Sequence, residues 1–245
     1  MTFKDRGIIL KESLVGEADK IVTALLYGNG KLSLSVKGAR KPGSKHMAAV
    51  QPFCLSDFVI FEGKGFFSAT QADPVENFFG LRDDFEAFCY ASFCAEMADR
   101  LIYPDMPAEN VIDLLCAAFN AMTKKGIAPK LAATIFEFKI MQLEGYAPEI
   151  WECIVCGEEI VDFNAGIHFG SEGAICENCT VPEQKTSKFT ETARYAIDYI
   201  LNSDIKNLFT FILTGSETAV LYNAAEVFRS GQLNISFKSL ELLQF

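Results

Sequence analysis

Two short cysteine repeats constrain this chain more than any other feature. They are Cys153-Ile154-Val155-Cys156-Gly157 and Cys176-Glu177-Asn178-Cys179, each C-x2-C, with 19 residues between them. That spacing puts two thiolates on one side of a tight turn, and two such knuckles supply the four soft donors that tetrahedral zinc prefers. Four thiolates also fill the coordination shell. The spacing therefore predicts one structural Zn2+ per chain on Cys153, Cys156, Cys176 and Cys179, with no open position for water or substrate. A pair of redox dithiols or disulfides is the competing reading, which a reducing compartment disfavours. His168, in GIHFG between the knuckles, is a weaker candidate ligand because the sulfurs already complete the set. Residues 151–180 are thus expected to form a metal-stapled insert, too short to bury a core of its own.

Cys54, Cys89, Cys94 and Cys116 lack such spacing and lie among apolar residues. They read as small buried hydrophobes. A catalytic thiol would want a histidine, and the chain has only His46 and His168. No phosphate-cradling G-x-x-x-x-G-K-[ST], no H-E-x-x-H and no deaminase pattern occurs, and the acids show no spacing that selects a catalytic pair. The expectation is a protein that is not an enzyme.

Charge is unevenly distributed. The net is -10, but residues 1–46 hold nine Lys/Arg against four Asp/Glu, a net of +5, which leaves -15 for residues 47–245. The first part should attract a polyanion, the rest something basic or neutral. Within the basic part, residues 37–45 read KGARKPGSK: Lys37, Arg40, Lys41 and Lys45 with glycines, a proline and no acid. Charges precede any apolar run of signal-peptide length, and no stretch of 18 uninterrupted apolar residues follows. A soluble, cytoplasmic protein is expected.

Periodicity divides the chain. From Arg6 to about Thr70 the pattern is short strands: GIILKESL, then IVTALL and KLSLSVKG around Gly28-Asn29-Gly30, then FCLSDFVIFEG and GFFSATQ around Gly63-Lys64-Gly65. Five strands in that length suffice for a small closed or nearly closed barrel. After residue 80 the period turns helical, with segments expected at 81–103, 110–125, 129–145, 188–202, 205–213, 216–230 and 236–243. Small five-stranded barrels often bind oligonucleotides across one face and its loops. Glycine and proline let the backbone of 37–45 approach a phosphodiester chain while its four cations neutralise it. The alternative is a solvated turn. Among the barrel aromatics, Phe66 and Phe67 are the candidates for an exposed stacking pair, with burial the better expectation even for them.

The motifs GEADKIVTALLYGNGKLSLSVKGARKPGSK, AAVQPF, GKGFFSATQAD, LRDDFEAFCYASFCAEMADRL, FEFKIMQLEGYAP, CIVCG and CENC, taken in order, resemble the bacterial RecO family of DNA-repair and recombination mediators. The resemblance implies an α+β multidomain chain. Residues 1–79 would be an OB-fold nucleic-acid-binding domain, 80–150 with 181–245 an all-α domain, and 151–180 the four-cysteine zinc-binding insert. It also implies a non-enzymatic role in recombinational repair. Such a protein binds single- and double-stranded DNA and anneals complementary strands. With RecR, it helps RecA replace single-strand-binding protein on single-stranded DNA, in the cytoplasm at the nucleoid. Lys37, Arg40 and Lys41 fall on the family's basic KGARK stretch, Lys45 on the basic position after it, and the four knuckle cysteines on zinc ligands. Lys124, Lys125, Lys130 and Lys139 are candidates for contact with the tail of single-strand-binding protein. The alternative is a zinc-containing interaction scaffold that does not bind DNA directly.

Overall fold

The computed structural model describes residues 1–104, 106–213 and 215–244. It forms two compact units, Met1–Gly126 with Lys238–Phe245, and Ile127–Phe237.

The first unit starts with strands β1 (Thr2–Val15), β2 (Asp19–Leu26), β3 (Gly30–Val36), β4 (Leu55–Glu62) and β5 (Phe67–Glu76), closed into a barrel in the order β1-β2-β3-β5-β4. All neighbours are antiparallel except β3 and β5. This is the OB-like arrangement that the strand count predicts. Alternation explains it: Leu32, Leu34 and Val36 point inward while Ser33 points out, and Phe58 and Ile60 enter the core while Phe61 stays exposed. Gly7 is where β1 passes closest to β2, since a Cβ there would lie 2.4 Å from the Leu25 carbonyl oxygen. The core contains Ile9, Val22, Leu26, Leu34, Phe58 and Ile60, and also Ala39, Ala49 and Val50 from the long β3–β4 connection. That connection is therefore rooted in the barrel at both ends.

The QPF part of AAVQPF has a structural duty. Phe53 sits at φ 71, a left-handed conformation costly for a residue with a Cβ. Its N–H donates to the Ile9 carbonyl at 2.8 Å, and its ring packs edge-on against Phe88 and Phe119, at 5.7 and 5.3 Å between centroids. Arg82 donates to the Gln51 side chain and the Pro52 carbonyl. These contacts fasten the barrel to helices α1 (Phe85–Leu101) and α2 (Glu109–Thr123). Asp84 caps α1 by accepting from the Glu86 and Ala87 N–H groups.

The second unit contains α3 (Pro129–Leu143), the cysteine-bearing segment with the two-residue strands β6 (His168–Phe169), β7 (Ala174–Ile175) and β8 (Ser187–Lys188), then α4 (Glu191–Asn202) and α5 (Ser216–Gln232). Helix α3 begins with proline in its first turn, as expected, and is buried almost all round. Residues 205–213 form turns rather than the expected helix. Leu208 and Phe209 bury themselves there side by side, without the three- or four-residue spacing that a helix face needs. In the first unit, the expected 236–243 helix shortens to one turn, Lys238–Glu241, followed by 3-10 turns. No helix among the described residues is long and apolar enough to cross a membrane.

Candidate nucleic-acid interface and candidate metal centre

The basic segment leaves β3 after Val36 as a series of turns. Its root is fixed: Ala39 is fully buried, Gly38 donates its N–H to Asp19 Oδ1 at 2.8 Å, and Arg40 donates its N–H to the Ala18 carbonyl at 2.9 Å. Gly38 and Gly43 adopt positive φ, 66° and 77°, which the tight reversals require. Lys37, Arg40, Lys41 and Lys45 all stand exposed.

These four are clustered on one loop and carry no counter-charge. Elsewhere in the barrel, Arg6 pairs with Asp57 at 2.7 Å, Lys11 and Lys31 with Asp99 at 2.6 and 3.6 Å, and Lys20 with Glu12 at 2.6 Å. None of the four loop cations forms an ion pair among the described residues; Arg40 directs one guanidinium nitrogen to the Gly16 carbonyl at 3.2 Å. Acids of the barrel and of α1 thus neutralise Arg6, Lys11, Lys20 and Lys31, while the loop cluster, like Lys4 and Lys64, carries no ion pair among the described residues.

The exposed aromatic pair is not the expected one. Phe67 turns inward and packs edge-on against Phe3 at 6.5 Å, whereas Phe66 is 53% exposed and lies beside Phe61, 42% exposed. Strand alternation could have identified Phe61, three positions after the inward Phe58.

In the second unit the knuckles converge. One sulfur from each of Cys153, Cys156, Cys176 and Cys179 lies within 4.8 Å of the others. The first knuckle turns through Gly157 at φ 74, with its N–H on the Cys153 carbonyl at 2.8 Å. The second turns through Glu177–Cys179 as a 3-10 turn, and the Cys176 N–H donates to Cys153 Sγ at 3.4 Å. Burial by itself would raise the Cys153 thiol, but the backbone groups of Cys156, Cys176 and Val155 outweigh it and bring it down to about 6. Hydrogen bonding with Cys176, followed by burial, pushes Cys179 up to about 12. Sulfurs crowded this closely cannot all be thiolates without a central cation, so the donor set fits a soft divalent metal. His168 lies outside the cluster; its Nδ1 faces Thr186 Oγ1 at 3.2 Å.

Arg194 supports this module in a way the sequence did not disclose. Its guanidinium lies 4.5 Å from the Trp151 ring centre, 4.6 Å from Phe163 and 5.3 Å from Tyr195, and it donates to the Ile160 carbonyl at 2.8 Å. One α4 side chain thus clamps both ends of the first knuckle segment. Of the remaining cysteines, Cys54, Cys89 and Cys94 are buried and Cys116 is partly so. Burial raises Cys54 and Cys89 and pushes Cys116 up to about 12, against thiolate chemistry.

Of the helical lysines, Lys124 pairs with Glu76 and Lys130 lies over the Tyr222 ring at 4.5 Å. Lys139 is buried and donates to the Leu201 carbonyl at 2.7 Å. Only Lys125 of the four lacks an internal side-chain partner among the described residues.

A five-stranded OB-like barrel with a free basic loop, in a chain that also carries helices and a four-cysteine knuckle, defines a class of modular barrel-and-helix proteins. The family described as "Recombination protein O N terminal" matches residues 1–78, and "Recombination protein O C terminal" matches residues 82–241. The "DNA repair protein RecO" of Acetivibrio thermocellus is 30% identical over 241 residues, covering 98% of this chain and 96% of the relative. The proteins of that name from Heliobacterium modesticaldum and Desulforamulus reducens are 36% identical over 181 residues and 31% over 188. The first alignment covers 72% of this chain and 65% of the relative, the second 77% and 73%. The chain belongs to the RecO family, as its motifs implied.

Proposed function

We propose that this protein is a recombination mediator that binds single- and double-stranded DNA through the basic loop and anneals complementary strands. With RecR, it would promote loading of RecA onto single-stranded DNA coated by single-strand-binding protein, in the cytoplasm at the nucleoid. It acts by binding and not by bond-breaking chemistry. Residues 1–79 hold the nucleic acid, residues 80–150 with 181–245 form the helical part, and residues 151–180 are stapled by one Zn2+ on Cys153, Cys156, Cys176 and Cys179.

The observation that carries this reading is the contrast in pairing. Lys37, Arg40, Lys41 and Lys45 stand without carboxylate partners on a loop rooted in the barrel core. Arg6, Lys11, Lys20 and Lys31 are each committed to an acid. Cations held unpaired in a net-acidic chain favour a phosphate backbone, which they contact without regard to base sequence.

The test is the salt dependence of oligothymidylate binding for the wild type and the Lys37→Glu, Arg40→Glu, Lys41→Glu triple variant. If about four phosphates are contacted, wild-type affinity falls roughly 50-fold between 50 and 200 mM salt, and the variant shows weaker binding with a shallower slope. Equal affinity and slope in both proteins would remove the loop as the DNA site. The alternative, an interaction scaffold without DNA binding, predicts a flat response at every salt concentration.

A further inference from the structure

The β4–β5 turn, residues 63–66, holds an aromatic surface that a solvated hairpin does not need. Phe61 and Phe66 are the exposed phenylalanines of the barrel, with ring centres 6.3 Å apart and planes at 54°. The turn is built around Phe66. Gly63 donates its N–H to the Phe66 carbonyl at 2.8 Å, and a Cβ at position 63 would lie 2.3 Å from the Phe66 ring, so only glycine allows the ring to lie over the turn. Gly65, at φ 77, completes the reversal.

The electrostatic surroundings favour a polyanion. Lys64 is exposed at the tip, and Lys4 lies two positions along from Thr2, the partner of Phe61 in β1. Neither lysine forms an ion pair among the described residues.

Strand register fixes the distance of this surface from the basic loop. Ser68 pairs with Ser35 across the parallel β3–β5 contact, and its hydroxyl donates to the Ser35 carbonyl at 3.1 Å. Phe66 and Lys37 lie two residues beyond that pair in opposite directions, so about 13 Å separates their levels along the strands. An extended strand of a few nucleotides spans that distance. We propose that Phe61 and Phe66 form a base-stacking platform for single-stranded nucleic acid whose phosphates rest on the basic loop. The proposal builds on the DNA-binding reading above and adds a contact to the bases.

The experiment compares oligothymidylate with an abasic oligonucleotide of equal length, for the wild type, Phe66→Ala, Phe61→Ala and Phe66→Trp. Phe66→Ala should weaken oligothymidylate binding about tenfold, leave its salt slope unchanged and leave abasic binding untouched, because stacking engages bases and not phosphates. Phe61→Ala should have a smaller effect of the same kind. Phe66→Trp should retain affinity, with indole emission quenched on binding. Unaltered oligothymidylate affinity in Phe66→Ala, or an equal loss on both oligonucleotides, would overturn the platform while leaving loop-dependent binding standing. Failure of the wild type to bind either oligonucleotide would instead overturn the DNA-binding reading on which the platform rests.

Discussion

The two small β modules of this chain are held together by different means. In the barrel, five strands of seven to fourteen residues enclose a large cluster of buried apolar side chains, beside which the buried polar strand residues are Ser56 and Lys20. In the cysteine module, three strands of two residues each carry only Phe169, Ala174, Ile175 and a few neighbours inward. Its remaining cohesion comes from four convergent sulfurs and the Arg194 clamp. The second unit also buries an ion pair, Glu137 with Arg229 at 2.7 Å. A module with enough strand area can rely on apolar burial, which is insensitive to metal and largely to pH. One without that area depends on ligands and charges, and their conditions become its own.

The largest separation between the two should come from the metal ligands. Replacing Cys153 and Cys156 by serine should lose about one zinc per chain by elemental analysis, and open residues 151–180 to proteolysis. Apparent binding free energies of ~10–16 kcal/mol for such sites far exceed what so small a core supplies. DNA binding by the barrel should persist, and unchanged metal content in the variant would remove the site.

Truncating the barrel core should have the opposite selectivity. Phe58 is 1% exposed, and Phe58→Ala should cost about 3–5 kcal/mol, read as an earlier unfolding transition in denaturant with zinc still bound. Loss of zinc together with the barrel would show that the two modules do not unfold separately.

A pH effect should sharpen the contrast further. Burial, outweighing Arg229, raises the Glu137 carboxyl to about 7. The unfolded value is about 4.3, so between those pH values the folded state binds the proton that the unfolded state has released. The stability this group contributes is complete below about pH 4.3 and is lost as pH rises through about 7. Between pH 5 and 7 the second unit should lose about 2 kcal/mol from this source. Glu137→Gln should flatten that dependence, and an identical pH profile for both proteins would contradict it.

The differing legibility of these features has a physical basis. The cysteines were readable because each knuckle is a local turn, and metal geometry fixes its spacing. The strands were readable because period-two alternation records which face is buried, from Leu32 to Val36 and from Phe58 to Phe61. The helix expected at 205–213 does not form, since Leu208 and Phe209 are apolar without being periodic. Phe67 was grouped with Phe66 because both follow the turn, although successive strand residues face opposite ways. The clamp on Arg194 and the pairing of Glu137 with Arg229, 92 residues apart, left no local trace. Lys139 looked like any helix cation until its burial was known.

The sequence by itself determined the barrel, the run of helices, the four sulfur donors and the concentration of positive charge in residues 37–45. Each of these is set by neighbours within a turn or a strand, through backbone geometry and side-chain alternation. Only the tertiary structure decided which cations are free and which aromatics are exposed. A lysine becomes available or spent according to whether a distant acid folds against it, and a phenylalanine shows its face or hides it according to what packs above. Those outcomes depend on long-range register and chain closure, which no local pattern encodes.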